Sequence, residues 1–301
     1  MNLRHLLDRL RRLGQRLRDL LRRLRRSPTD SHESGAVIPL RPDSTDVPQG
    51  LAWDEEHEEF VYTFYDADDH TAGRVVFADR DGRVSAQAPL SGLGHYGGIT
   101  LHGGRTYVCG AGAVQVHATQ RLRQGIGEPL MTVRVRASST VTSHQDGLYV
   151  TTFRRDRPER MYRYDLDQDG TPVETGAVFT VPPQTQGVAF APDGTVYFSR
   201  SWGRSRPSVL TRVEAADLAA DGGWTAQNGR DTPLPPMAEG SVVVDGRLHQ
   251  LYESGAAPYR RYQRAHGLLS LLRGPLAPRE RLTAHDVGGS QTRGTHAQGP
   301  P

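Results

Sequence analysis

One phrase of about twenty residues recurs along this chain, and nothing else in the sequence constrains its fold so tightly. "VPQGLAWDEEHEEFVYTFYD" begins at Val47, "HYGGITLHGGRTYVCGAG" at His95, "ASSTVTSHQDGLYVTTFR" at Ala137, "QTQGVAFAPDGTVYFSRSWG" at Gln184 and "MAEGSVVVDGRLHQLYESG" at Met237, roughly 45 to 50 residues apart. Each copy is an apolar run, a turn signal and a second apolar run. A unit this small cannot bury its apolar face alone, so the copies must stack on one another. The turn signals are Asp-Gly pairs at Asp81-Gly82, Asp146-Gly147, Asp169-Gly170, Asp193-Gly194 and Asp245-Gly246. Such pairs supply the positive φ values of a tight hairpin. The first unit divides into "GLAWD", "FVYTFYD", "GRVVFADR" and "RVSAQAPL". With 33 Gly and 20 Pro in the chain, both destabilising inside helices, short strands joined by tight turns are the expectation.

Four antiparallel strands per unit describe a propeller blade. On the repeated Gly-apolar-x-apolar-(x)-Asp-Gly-x-apolar phrase, residues 36 to 287 resemble the β-propellers of the gluconolactonase-like, NHL-like and bacterial lyase-like group. Blade starts at Gly50, Gly98, about Ser139, Gly187 and Gly240 predict five four-stranded blades. A degraded sixth blade within residues 260 to 287 is the alternative. "AVIPLRP" at 36 to 42 is expected to pair with the last blade and close the ring, leaving no exposed sheet edge.

In such a ring the first strand of each blade lines a central channel, and the residues before each opening Gly converge at one mouth. These are Gln49, then His95 and Tyr96, then Ser138 and Ser139, then Gln186, then Glu239. The second strands end in further polar clusters containing Asp66, then Arg200, Trp202 and Arg204, then Glu253 and Tyr259. Polar residues facing a channel also satisfy trapped water. A ring of amides, imidazole, phenols, carboxylates and guanidinium equally makes a small-molecule pocket with aromatic walls. For chemistry, proton transfer suits them: Glu239 as acid or base with its pKa raised by desolvation, and His95 as its partner. Gln49, Tyr96, Gln186, Arg200, Trp202, Glu253 and Tyr259 are the expected substrate-binding set, with His144 a weaker candidate. The expected function is binding, and turnover by a hydrolase, lyase or cyclase, of a sugar- or lactone-like metabolite. The alternative is a non-catalytic scaffold that recognises a protein or glycan while its N-terminal helix holds it to a membrane.

No cofactor is expected. A divalent cation, which the gluconolactonase-like resemblance implies through carboxylate and Asn ligands, is the alternative, but this chain has only Asn2 and Asn228. "DLDQDGTPVE" at 165 to 174 opens like a calcium loop, yet its twelfth position is Gly176 where a bidentate Glu is required. It reads as a hairpin turn. Cys109 is the single cysteine, expected in a strand core and unable to form an internal disulfide. The sequence lacks G-x-S-x-G, G-x-x-x-x-G-K, H-E-x-x-H and the Rossmann glycine pattern, which argues against serine hydrolase, nucleotide and zincin chemistry.

All 37 basic residues are Arg, and their placement is uneven. Residues 1 to 26 hold ten Arg against Asp8 and Asp19, a local balance of +8, so the rest of a chain of net charge +3 carries −5. An acidic body argues against nucleic acid as partner. Within "LRHLLDRLRRLGQRLRDLLRRL", Leu3, Leu6, Leu10, Leu13, Leu17, Leu20 and Leu24 form one stripe at helical spacing. This amphipathic helix over 1 to 26 has two outlets, an anionic membrane surface or a partner helix. Residues 27 to 35 read as a linker and 288 to 301 as a disordered tail. With no apolar stretch of spanning length and no secretory h-region, the expected location is cytoplasmic, with peripheral membrane contact through the helix. Deleting residues 1 to 26 is expected to abolish co-flotation with anionic vesicles, and equal flotation with neutral and anionic vesicles would reject the electrostatic account.

Overall fold

The computed structural model describes residues 33 to 260 and 278 to 287. Twenty strands form five four-stranded antiparallel sheets, and the chain is a five-bladed β-propeller. Blade 1 comprises β2 (Asp46–Asp54), β3 (Glu59–Asp66), β4 (Ala72–Ala78) and β5 (Val84–Ser91). Blade 2 comprises β6 (Gly98–His102), β7 (Arg105–Gly110), β8 (Ala113–Ala118) and β9 (Met131–Arg134), with helix α1 (Thr119–Arg123) between its last two strands. Blade 3 is β10 (Thr140–His144), β11 (Gly147–Thr151), β12 (Glu159–Leu166) and β13 (Pro172–Val181). Blade 4 is β14 (Thr185–Phe190), β15 (Val196–Arg200), β16 (Ser208–Val213) and β17 (Arg230–Leu234), with helix α2 (Ala215–Ala220) after β16.

Blade 5 is composite. β18 (Ala238–Val244), β19 (Arg247–Tyr252) and β20 (Arg281–Asp286) are completed on the outside by β1 (Glu33–Val37), in the order β1-β20-β19-β18. The N-terminal strand thus closes the ring, beginning at Glu33 rather than at Ala36. What the sequence offers as a degraded sixth blade supplies β20 of the fifth, and residues 261 to 277 of that stretch lie outside the described residues. So do the predicted helix over 1 to 26, most of the linker and the tail.

Each apolar cluster lies between two neighbouring blades. Blades 1 and 2 meet through Val61, Phe77, Ile99 and Val108, and blades 2 and 3 through Tyr107, Cys109, Val141 and Val150. Blades 3 and 4 meet through Tyr149, Met161, Val188 and Phe198, blades 4 and 5 through Tyr197, Leu210, Ala238 and Leu248. The last interface joins blade 5 and β1 to blade 1, through Leu251, Leu282, Ile38 and Phe60. Cys109 is fully buried between blades 2 and 3, and burial pushes its thiol pKa up.

The recurrent glycines are explained by how closely the inner strands crowd the axis. A Cβ on Gly50 would come within 2.9 Å of Ile99 N, one on Gly98 within 2.4 Å of Val141 N, one on Gly187 within 2.5 Å of the Glu239 carbonyl and one on Gly240 within 2.6 Å of Leu51 N. Each opening glycine therefore lets its strand approach the backbone of the next blade. The Asp-Gly turns are less uniform than the sequence suggests. Only Asp245-Gly246 has both residues at positive φ (51° and 71°), whereas in the β10–β11 hairpin the positive φ falls on Gln145 (52°) and Gly147 pairs with His144. In the "DLDQDG" segment Asp167 Oδ1 accepts the Asp169 and Thr171 N–H groups at 2.9 and 2.8 Å, the geometry of a side-chain-supported turn.

Gly98→Ala is expected to cost about 1–3 kcal/mol of unfolding free energy in denaturant titration, and Gly103→Ala, whose Cβ meets nothing within 4 Å and whose cost is only its φ of 55°, less.

Candidate active site

In three inner strands the entry to the blade is a β-bulge. Pairing slips between Pro48 and Leu51 in β2, between Thr185 and Gly187 in β14, and between Ala238 and Ser241 in β18. Bulges re-aim side chains, and those inside these three are Gln49, Gln186 and Glu239. The Glu239 bulge is fixed from behind by Gln250, whose Nε2 donates to the Glu239 and Gly240 carbonyls at 2.9 and 3.1 Å.

Glu253 follows β19 directly, opposite Met237, whose carbonyl accepts its N–H at 3.1 Å, and its charge acts on Glu239. Gln49 Nε2 and Tyr259 Oη donate to Glu253 Oε2 at 3.1 and 3.0 Å, and Gln186 Nε2 donates to Glu239 Oε1 at 3.4 Å. Both hydrogen bonds that Glu253 accepts among the described residues fall on Oε2. Burial raises the pKa of Glu239 well above the carboxyl range, and the neighbouring Glu253 charge raises it further. Burial lifts Glu253 to about 7, opposed by its bonds from Tyr259 and Gln49 and by Arg204. Both carboxyls are thus raised above the ordinary carboxyl value, and the charge on one acts on the proton of the other.

An aromatic wall extends from this pair. Tyr259 Oη lies 3.4 Å from Tyr65 Oη, the Tyr65 ring stacks on His95 at 4.6 Å and on His70 at 5.5 Å, and the Arg204 guanidinium sits 4.9 Å above the Tyr259 ring. Burial pushes the Tyr65 pKa up to about 12 and also raises that of Tyr259, so both phenols stay protonated. His95, on a loop at φ 65°, has its pKa lowered by desolvation and by His70, and is neutral at pH 7.

The residues named from sequence thus divide. Gln49, Gln186, Glu239, Glu253 and Tyr259 are brought together. His95 reaches the pair only through Tyr65 and Tyr259 in the contacts described. Tyr96 is fully buried, donates its hydroxyl to the Thr71 carbonyl at 2.7 Å and packs on Gly73, so it supports the loop behind the wall. Arg200 is committed to the Pro183 carbonyl, Thr211 and Asp231 at 3.0 to 3.2 Å, along its own blade. Trp202 stands on the rim beside Phe153. His144 lies at the opposite mouth, stacked on Phe190 at 4.7 Å in a cavity of about 470 Å³ that Trp53 and His102 also line. Tyr65 is the member that sequence reasoning passes over, since in "EFVYTFYD" it reads as one more apolar strand residue.

Among the described residues no group of three or more His, Cys, Asp or Glu side chains is placed to hold a metal, and Asn228 is tied to Thr225, Asp221 and Gly223 away from the channel. The ligand set implied for a divalent cation is therefore not matched here. No described helix is long and apolar enough to cross a membrane.

No family model matches the chain, and no curated protein is similar to it in sequence. Solved propellers share its fold. A glutaminyl cyclase from Myxococcus xanthus is 15% identical with a TM-score of 0.49, the match covering 86% of this chain and 97% of that one. A gluconolactonase from Xanthomonas campestris is 14% identical, TM-score 0.43, over 75% and 96%. The PQQ-bound aldose sugar dehydrogenase of Streptomyces coelicolor is 16% identical, TM-score 0.42, over 72% and 78%.

A raised carboxyl pKa has a definite sign in stability. Up to about pH 7 the folded Glu253 keeps a proton that the unfolded chain has already released, so the stability this group confers is full in acid and is lost as pH rises through about 7. Relative to wild type, Glu253→Gln should gain melting temperature progressively from about pH 5 to about pH 8, measured by thermal unfolding across that range.

Proposed function

We propose that the propeller binds a small polar molecule at this mouth and turns it over by proton transfer between the Glu239–Glu253 pair and the ligand. The observation that carries this reading is the pair itself: two buried carboxyls, Glu253 lifted to about 7 and Glu239 raised well above the ordinary carboxyl value, joined to oriented amide and phenol donors. Two buried acids acting on each other do not stabilise a fold as an ion pair does, and shifts of this kind concentrate where chemistry occurs.

In this reading Glu239, its pKa raised by burial and by the Glu253 charge, is the acid, and Glu253, lifted to about 7, is partly ionised near neutrality. Glu253 then takes a proton from an O–H, N–H or activated C–H of the ligand, and Glu239 gives one to the departing or newly basic atom. Gln49 and Tyr259 hold Glu253 through Oε2, which leaves Oε1 for the ligand. Such a division of labour suits a lyase or cyclase step, in which one proton leaves and another arrives within a single molecule, and also a hydrolase step when the base acts on water. A sugar- or lactone-like ligand supplies the hydroxyls and carbonyl that these donors and acceptors recognise. His95 and His70, stacked on Tyr65, form the outer wall.

The test is a thermal-shift panel of polar metabolites at about pH 6 and about pH 8, with Glu239→Gln and Glu253→Gln compared with wild type and each hit followed for conversion by mass spectrometry. A ligand that stabilises wild type is expected to be converted by it and left intact by both variants. Hits converted equally by all three proteins would overturn the acid-pair mechanism.

A further inference from the structure

The rim of the same mouth carries a second built feature where blades 3 and 4 meet. The segment after β11 brings Phe153, Arg154 and Arg155, and the segment after β15 brings Trp202. Gln184, at φ 68°, latches the two together. Its backbone N–H donates to the Arg154 carbonyl at 2.7 Å, its side-chain amide to the Arg155 carbonyl at 3.0 Å, and its own carbonyl accepts the Ser201 N–H at 2.9 Å. Ser139 Oγ accepts the Phe153 N–H at 2.9 Å. Loops held this way spend little entropy on presenting their side chains.

What they present is a guanidinium on an indole. Arg155 lies 4.7 Å above the Trp202 ring, which stacks on Phe153 at 6.0 Å, and Trp202 is 37% exposed, among the described residues the one aromatic of the large apolar side chains left open to solvent. The neighbouring arginines are neutralised, Arg154 and Arg157 both by Glu159 at 3.3 and 3.5 Å. Arg155 has no carboxylate partner among the described residues. A guanidinium stacked on an aromatic face keeps its N–H edge free for an oxyanion and is oriented for two parallel hydrogen bonds. A chain of contacts joins this arginine to the acid pair. Trp202 and Arg204 are two residues apart, roughly 7 Å between Cα atoms at most, and Arg204 covers the Tyr259 ring that bonds Glu253.

We infer that Arg155, seated on Trp202, is an anion subsite that receives a carboxylate or phosphate borne by the ligand of the acid pair. The ligand is then bipolar: its reacting end meets Glu239 and Glu253, and its oxyanion is held at the blade 3–4 rim. Across the mouth the loop after β3 carries Asp66, Asp68 and Asp69, so the charge on the rim allows one orientation and opposes the reverse. The ligand's place in this inference rests on the proposed function. Anion capture by Arg155 does not.

The experiment titrates the full chain with sodium acetate and, separately, with sodium phosphate, chloride being exchanged so that ionic strength stays constant, and reads tryptophan fluorescence. Trp202→Phe identifies the Trp202 signal among the three tryptophans. A saturable change with either anion that weakens tenfold or more in Arg155→Gln, and persists in Glu253→Gln and in a control variant of the exposed Arg206, four residues after Trp202, Arg206→Gln, supports the subsite. Saturation by acetate alone assigns a carboxylate, by phosphate alone a phosphate. A response linear in anion, or one of equal midpoint in wild type and Arg155→Gln, overturns it. Because Glu253→Gln keeps the anion response while abolishing turnover, loss of the acid-pair mechanism and loss of the subsite are read separately.

Discussion

The narrowness of the axis governs this molecule. Five inner strands approach one another so closely that a single methyl group on Gly50, Gly98, Gly187 or Gly240 would lie 2.4 to 2.9 Å from the backbone of the next blade. Carbon atoms do not tolerate such distances, so the sheet must open, tilt or expel the residue. Glycine at the blade entry removes the obstacle, and the bulge beside it in β2, β14 and β18 turns the preceding side chain toward the axis. The same packing requirement that closes the ring therefore produces a circle of inward polar groups. Site and fold arise from one constraint.

Burial at that circle is costly, and the cost is visible as chemistry. Glu239 is only 3% exposed, and no described cation neutralises it. Its carboxyl escapes the desolvation of a charge by keeping its proton. Glu253 receives enough help from Tyr259 and Gln49 to ionise near neutrality. The contrast with the outer salt bridges is instructive. Arg123, the last residue of α1, meets Asp54 and Glu59 at 3.0 and 2.8 Å, and its guanidinium covers Phe77, so those acids are balanced where they are buried. Charge is neutralised where the fold needs rigidity and left open at the mouth.

Much of this was legible in the sequence, for physical reasons. Period, strand alternation and glycine position express the blade, so the five starts and the inner-strand entries could be read directly. From those entries Gln49, Gln186 and Glu239 follow, because a residue beside the opening glycine has nowhere else to point. Residues on the connecting loops do not obey that rule. Arg200 is the last residue of β15, but its guanidinium reaches along the neighbouring strands to Asp231, a pairing across 31 positions that no periodicity encodes. Tyr96 satisfies its hydroxyl at Thr71 and so belongs to the core. Tyr65 looks like core and belongs to the mouth. The sixth blade seemed available because blade 5 is interrupted between β19 and β20 and borrows its outer strand from residues 33 to 37.

That interruption bears on how the site works. The chain leaves blade 5 directly after Glu253 and returns beside it, where Ser254 Oγ accepts the Arg279 N–H at 3.1 Å. A propeller blade with a short hairpin at this point has no residue to set over its own acid. Here the departing turn, with Tyr259 N bonded to the Ala256 carbonyl, delivers a phenol to Glu253 Oε2 and a ring for Arg204 to cover. Closing the ring with β1 makes that departure affordable in structural terms: β20 is clamped between β19 and β1, with Leu282 fully buried, so the sheet keeps its register although its sequence is split. The N-terminal strand, on the outer edge of blade 5, is thus what allows that blade to carry both acids and the group that tunes them.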